Sequence, residues 1–520
     1  MTEDLTALAL DAIASSRAAD DPDYPRFHAV PPVGRLNDPN GLLVDGSTYH
    51  VFYQFSPFHP GRKLVYWGHA SSTDLAHWEH HPPAIVPDSA YDASGAYSGN
   101  AIVLEADELD GAPAAAPYQL FYTGNLKDER TGERTASQCL VTSADLSSFE
   151  KWPGNPLIPT HAPGYTAHYR DPQVFRDPQR PGHYLMAVGV QRQDETGAAV
   201  LYRSTDLLSW QLEGELSFPQ AEGAFDAFGY MWECPGLVRL EDEETGEPWD
   251  VLVWCPQGIA PQREGFENIF PCVYTLGHLV GTELRECRGE FYEVDRGFEF
   301  YAPQVFARRP SQPGPVLLTG WAGNASQDDQ PSIEPDGGSG GWVHALTVPR
   351  RLSLRGGRLI QRPALVLPAD AARPALVDAP LEPGEHPIAE LEGERSWQLM
   401  LQAESGAEGS WGVRIGSPQC HIDITLDGSH LHVCRATSRY TRHGAQRTVT
   451  LPPGCAPRLE ILHDRSITEI FVGDGDVAFT LRSFVDESAG AAVLVGERGG
   501  PAGRAGDRLR LVDGAALVRS

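Results

Sequence analysis

Methionine is scarce in this 520-residue chain, with 4, and its 8 cysteines include no C-x-x-C pair. The cysteine positions 139, 234, 255, 272, 287, 420, 434 and 455 fit no zinc-ligand spacing, and in a chain this long they read as scattered reduced thiols. No window approaches the roughly 20 consecutive apolar residues of a membrane-spanning helix. The apolar stretch near the N-terminus, Leu5 to Ala14, follows no basic region and contains Asp11; a secretory signal is not expected, and a cytoplasmic location is. Positive charge is also short: 41 Lys and Arg stand against 70 Asp and Glu, a net of −29. Nucleic acids and anionic membrane surfaces require clustered basic residues, so neither is an expected partner.

The shortage is uneven. Residues 351–520 hold 19 Arg, no Lys and 21 acids, whereas the first 350 hold 22 basic and 49 acidic residues, a net of −27. Such a field suits a neutral substrate and counts against a phosphorylated one. What the chain has in plenty is turn formers, 53 Gly and 43 Pro, alongside 41% hydrophobic and 9% aromatic residues. That composition excludes wholesale disorder and points to packed cores joined by many turns.

Five apolar, β-branched and aromatic runs recur along the first 350 residues: YHVFYQF (49–55), YQLFYTGN (118–125), HYLMAVGVQ (183–191), WDVLVWCPQG (249–258) and PVLLTGWAGN (315–324). Each follows another short strand, beginning at NDPNGLLV, SGNAIVLE, RDPQVF, ECPGLVRL or APQVFARR. With Asp38, Gly99, Asp171, Glu233 and Ala302 as markers, the spacings are 61, 72, 62 and 69 residues. A second element, STDLAHW (72–78), SADLSSF (143–149) and STDLLSW (204–210), recurs once in each of the first three units. Repeats of this length, each with several strands, predict a five-bladed β-propeller over 25–361. After a proline-rich linker at 362–378, eight or so short strands without the markers predict a β-sandwich over 379–520. The expected class is all-β, with residues 1–24 a short helix or arm.

In a propeller the first strand of each blade lies nearest the axis, so Asp38, Asp171 and Glu233 are expected to converge in one funnel. A lone Asp-Pro reads as a turn. Three acids at corresponding places, where other blades have Gly99-Asn100 and Ala302-Pro303, are harder to explain that way. Glycoside cleavage uses such a set: one carboxylate attacks the anomeric carbon, a protonated one serves the leaving oxygen, and a third holds hydroxyls. Trp67, Trp232, Phe55, Phe58 and Tyr301 offer aromatic surface near the motifs. Aligned on proline, however, Glu233 stands two residues before Pro235 while the aspartates stand one before theirs. Strand alternation points it elsewhere unless a bulge intervenes.

The motifs NDPNG (37–41), FYQ (52–54), WGHASSTDLAHWEH (67–80), YSGNA (97–101), FYTG (121–124), RDPQVF (170–175), WECPGL (232–237), DRGFEFYAPQVF (295–306), GWVHALTVPRRL (341–352) and DRSITEIFVGDG (464–475) run in order along the chain. Together they resemble glycoside hydrolase family 32, the β-fructofuranosidases. The resemblance implies that Asp38 is the nucleophile, Glu233 the general acid/base and Asp171 the transition-state stabiliser. It places Asn37, Gln54, Trp67, Ser98 and Arg170 in the fructose pocket, with Phe55 and Tyr301 as further sugar-binding residues. Asp295 falls on an aspartate of a family element. Asn100, Ser56 and Glu299 depart from the usual pattern, which bears on leaving-group binding rather than on the three acids.

The activity implied is that of a retaining, exo-acting β-fructofuranosidase on sucrose and short fructo-oligosaccharides, possible transfer of fructose included. Sucrose-6-phosphate hydrolase, fructan exohydrolase, fructosyltransferase and a non-catalytic fructan-binding protein are the alternatives. No cofactor and no metal are expected, and the chain is expected to be a monomer or homodimer. HWEHHP (77–82) reads as a solvated loop, Cys234 as a packed thiol, and the acids of 328–341 as a flexible loop without an EF-hand pattern.

Overall fold

The computed structural model describes residues 4–260, 266–326, 330–331, 341–365, 372–374, 380–404, 409–486, 490–496 and 509–518. Its elements are overwhelmingly strands, and the first five sheets are the blades of a propeller. Blade one runs Gly34–Asp45, Thr48–Ser56, Tyr66–Ser72, Glu79–Ile85, each strand antiparallel to the last. Blades two to five begin with Ala96–Val103, Tyr165–Arg176, Met231–Glu241 and Tyr301–Val305. These five first strands touch in a closed ring: one against two, two against three, three against four, four against five and five against one. Closure is reinforced where Trp342–Val343, from the blade-five segment, pairs in parallel with Gly34–Arg35 of blade one.

The S-x-D-L repeat has a local cause. Ser72 Oγ accepts the Leu75 N–H at 2.8 Å, Asp74 Oδ1 accepts the Ala76 N–H at 2.9 Å, and Leu75 turns to φ 64° with its side chain buried. Ser143 and Asp145 do the same for Leu146, as do Ser204 and Asp206 for Leu207. Serine and aspartate supply side-chain acceptors to a turn whose own carbonyls point away.

Among the described residues the sandwich has a seven-strand layer, in which Pro380–Leu381 also pairs with Leu509–Val518, and a six-strand layer. One runs Ala372–Pro374, Leu509–Val518, Ser396–Ala403, Arg458–Asp464, Ile467–Val472, Val477–Arg482; the other runs Gly384–Pro387, Ala491–Val495, Trp411–Gly416, His421–Leu426, His430–Cys434, Gln446–Thr450. Arg358–Pro363 closes blade five and so occupies the first two positions of the expected linker; much of the rest of that linker lies outside the described residues. At the other end, Leu5–Ala14 is a helix capped by Asp4, packed on blade one through Leu5, Ala9 and Ile13. Among the described residues no helix is long and apolar enough to cross a membrane.

The two domains share a buried polar seam. Arg350 lies fully buried between Glu469 (2.6 Å) and Asp295 (2.9 Å), and Arg435 forks onto Glu299 at 2.8 and 2.9 Å. His28, buried, meets Asp464 at 2.9 Å and Glu469 at 3.1 Å; burial alone would lower its pKa, but the two carboxylates raise it to about 9. Phe298 of the propeller enters the sandwich core with Arg435 over its ring. Gly297 lies so close to Thr480 that a Cβ would stand 2.0 Å from its carbonyl oxygen.

Candidate active site

Every first strand breaks its pairing with the second at the same depth. In blades three, four and five two residues oppose one: Asp171-Pro172, Cys234-Pro235 and Ala302-Pro303 are the extra pairs. The leading residue of each takes a positive φ, at 65°, 49° and 47°. Proline suits a bulge because it has no N–H to lose from the ladder. The bulges correct the repeat alignment. Glu233 corresponds to Arg170 and Tyr301, the last paired residues before the break, while Asp171 corresponds to Cys234 and Ala302. In blade one the break falls at Asn37 and Asp38. The three acids thus occupy three different bulge positions, and the bulges are what bring Glu233 into the funnel.

The funnel holds a cavity of about 230 Å3 lined by Asn37, Asp38, Gln54, Arg170, Asp171, Glu233 and Tyr301, all expected, with Gln257, Trp321 and His168 among the others. Asp38 is held from blades one and two. Its Oδ2 accepts from Ser98 Oγ (2.5 Å) and Gln54 Nε2 (3.2 Å), and its Oδ1 from Asn37 Nδ2 (3.1 Å). The chain of donors continues outward: Arg35 donates to Asn37 Oδ1, and Asn37 to Gln54 Oε1. Glu233 is held from blades three to five. Arg170 Nη2 donates to its Oε1 at 2.5 Å; Tyr301 OH and Gln257 Nε2 donate to its Oε2, each at 2.6 Å. Tyr230 in turn donates to Gln257 Oε1 at 2.6 Å, fixing which end of that amide faces Glu233. Asp171 Oδ2 accepts the Cys234 backbone N–H at 3.1 Å, so the cysteine beside Glu233 serves the third acid through its main chain.

Burial raises the pKa of Asp38, the Ser98 hydrogen bond lowers it, and the charge of Glu233 raises it again; the net is upward. Asp171 is pushed to about 7, first by burial, against the pull of Arg170 and with the charges of Glu233 and Asp38 adding to the rise. A pKa near 7 leaves Asp171 partly protonated at neutral pH.

Three sequence expectations change. Trp67 and Phe55 do not line the cavity: both are buried in the cores behind it, with Trp67 Nε1 donating to the Tyr97 carbonyl. Trp321, itself buried, borders the cavity instead, with the Arg35 guanidinium 5.2 Å from its ring centre. The departures from the family pattern do not touch the cavity either. Asn100 pins blade two to the Val174 backbone, Ser56 is buried, and Glu299 faces Arg435. Finally, the cavity is not negative. Arg35, Lys63, Arg134 and Arg170 offset its three acids, although the surrounding domain is strongly acidic. Most of the acidic segment 328–341 lies outside the described residues.

A five-bladed propeller whose funnel gathers three neighbouring carboxyls, with a sandwich docked on its side, defines the frame of a glycosidase. The profile described as "Glycosyl hydrolases family 32 N-terminal domain" matches residues 28–363. A sucrose-6-phosphate hydrolase of Klebsiella pneumoniae is 35% identical over 475 residues, covering 90% of each chain, and an Escherichia coli raffinose invertase is 32% identical over 477, covering 89% of each. Among solved structures, a β-fructofuranosidase of the same family from Bombyx mori superposes with a TM-score of 0.78 at 27% identity, covering 100% of this chain and 98% of its own. The chain belongs to glycoside hydrolase family 32 and is a glycoside hydrolase.

Proposed function

We propose that the enzyme is a retaining, exo-acting β-fructofuranosidase of the sucrose type. The observation that carries this reading is the opposed support of two carboxylates across one cavity. Asp38 is held by neutral donors from blades one and two, and Glu233 by Arg170, Tyr301 and Gln257 from blades three to five. Asp38 attacks C2 of the terminal fructosyl unit while Glu233 passes a proton to the departing oxygen. Glu233 then takes a proton from water, which releases fructose and frees Asp38. Asp171, beside Arg170, holds ring hydroxyls as positive charge develops. The cavity admits a terminal unit and part of its leaving group, in keeping with attack at a chain end.

Asp38 must be ionised to attack, and Ser98 supports that ion. Ser98→Ala removes a hydrogen bond to a charged group, about 1.5–3 kcal/mol, so the pKa of Asp38 rises. The acid limb of kcat/KM against pH is expected to move up by about one unit or more, with activity recovering at higher pH. A uniform loss at every pH would show that Ser98 positions Asp38 without tuning it.

A second reading is favoured by Lys63 and Arg134. The chain has three lysines, and one of them stands exposed at this cavity. Neither Lys63 nor Arg134 forms an ion pair among the described residues, and the charge of Arg134 contributes to lowering the His168 pKa after burial and Arg170. Unpaired cations at the mouth suit a phosphate on the leaving sugar, as in the substrate named for the Klebsiella relative. The test is steady-state kinetics on sucrose, sucrose 6-phosphate, inulin and levan with products followed in time. Fructose from both sucrose forms is expected. Neutralising Lys63 and Arg134 together should raise KM for the phosphate ester about tenfold or more and change sucrose less. Equal losses on both would reject the phosphate reading and leave the fructosidase reading standing.

A further inference from the structure

The sandwich carries a group of side chains that sugar chemistry does not use. The hairpin between His421–Leu426 and His430–Cys434 reads Asp427-Gly428-Ser429-His430-Leu431-His432. Alternation sends Leu431 and Val433 into the sandwich core and leaves His430 and His432 together on the outer face. The turn folds Asp427 over that same face. Its N–H donates to the His430 carbonyl at 3.1 Å, and its Oδ1 accepts the His430 N–H at 3.0 Å. Gly428, at φ 86°, permits the reversal. The Asp427 carboxylate then stands between two imidazoles, Oδ1 3.2 Å from His430 Nδ1 and Oδ2 2.8 Å from His432 Nε2. One donor atom from each of the three residues lies within 4.8 Å of the other two.

We infer that Asp427, His430 and His432 form a binding site for a Zn2+-class divalent ion, with water completing the shell. Two imidazole nitrogens and one carboxylate oxygen match the donor preference of zinc and its neighbours, whereas Ca2+ and Mg2+ prefer all-oxygen sites. The outer shell is present too. Thr448 Oγ1, on the adjoining strand Gln446–Thr450, lies 3.0 Å from His432 Nδ1, where it can accept that nitrogen's proton when Nε2 binds the ion. The scaffold is firm: His430 pairs with Thr450 and His432 with both Thr448 and Thr425, so neither ligand sits on a free loop. The imidazole protons that bridge to Asp427 leave when those ring nitrogens take up the ion. None of the three residues lines the propeller cavity, so the ion clamps the hairpin and takes no part in glycoside cleavage.

The test uses the full chain, stripped with EDTA and dialysed, then titrated calorimetrically with ZnCl2 at pH 7.5 and, separately, with CaCl2. Wild type is expected to bind one equivalent of Zn2+ that the His430→Gln/His432→Gln variant binds at least about tenfold more weakly. Zn2+ should also raise the melting temperature of wild type and not of the variant, while CaCl2 does neither. Asp427→Asn, at an exposed position, is the second variant should the double change fold poorly, and it is expected to weaken Zn2+ in the same direction. Identical Zn2+ isotherms for wild type and the folded variants would overturn the site, as would equal binding of Ca2+.

Discussion

Asp38→Asn is expected to lower kcat/KM for sucrose by about 10^4-fold or more, the scale on which a removed nucleophile acts. The melting temperature should equal or exceed that of wild type. Asp38 has a raised pKa, so its folded form binds protons more readily than its unfolded form, and its charge at neutral pH opposes folding. An amide removes that charge. The comparison that gives the result its meaning is Glu233→Gln. A missing acid is tolerated by a substrate whose leaving group needs no proton, so Glu233→Gln should cleave an aryl fructofuranoside far better than sucrose, while Asp38→Asn should fail on both. Substantial turnover by Asp38→Asn would remove Asp38 as nucleophile. Equal failure of both variants on both substrates would remove the division of roles between the acids.

The propeller was legible because its repeats have local causes. The S-x-D-L turns at Ser72, Ser143 and Ser204 are the same hydrogen-bonded device three times, and the apolar second strands are long enough to stand out. The repeat picks out Glu233 as one of the acids but puts it one position out, because a bulge inserts residues that a period of two does not count. The signal was in the prolines: Pro172, Pro235 and Pro303 align the three bulges and pair Glu233 with Arg170 and Tyr301. The cations of the cavity mouth were hidden for another reason. Lys63 and Arg134 come from different blades, and a domain-wide charge excess says nothing about where two positive groups meet. Trp67 and Phe55 misled because a large aromatic near a motif serves the core as readily as a sugar face. The buried seam was invisible altogether, since Asp295, Arg350 and Glu469 are far apart in the chain and meet only when the two domains dock.

That seam gives the second large expectation. Arg350→Met should destabilise the folded chain by about 3–5 kcal/mol, because it leaves Glu469 and Asp295 buried with their shared cation gone. The same change at Arg285, whose pair with Glu283 is exposed on both sides, should cost at most about 1 kcal/mol. Urea unfolding of both variants measures the contrast. Adding Glu469→Gln to Arg350→Met should recover part of the loss, since an uncompensated anion is then removed, although His28 keeps a claim on that position. The effect bears on function through the chain. Asp295 accepts from Thr480 of the sandwich, Glu299 accepts from Arg435 and from the Arg482 N–H, and two residues later Tyr301 donates to Glu233. The sandwich therefore fixes the segment that delivers a catalytic-site hydroxyl. A loss at Arg350 no larger than at Arg285 would mean that the docked sandwich is carried by apolar contact, with the ion pairs contributing little to the brace.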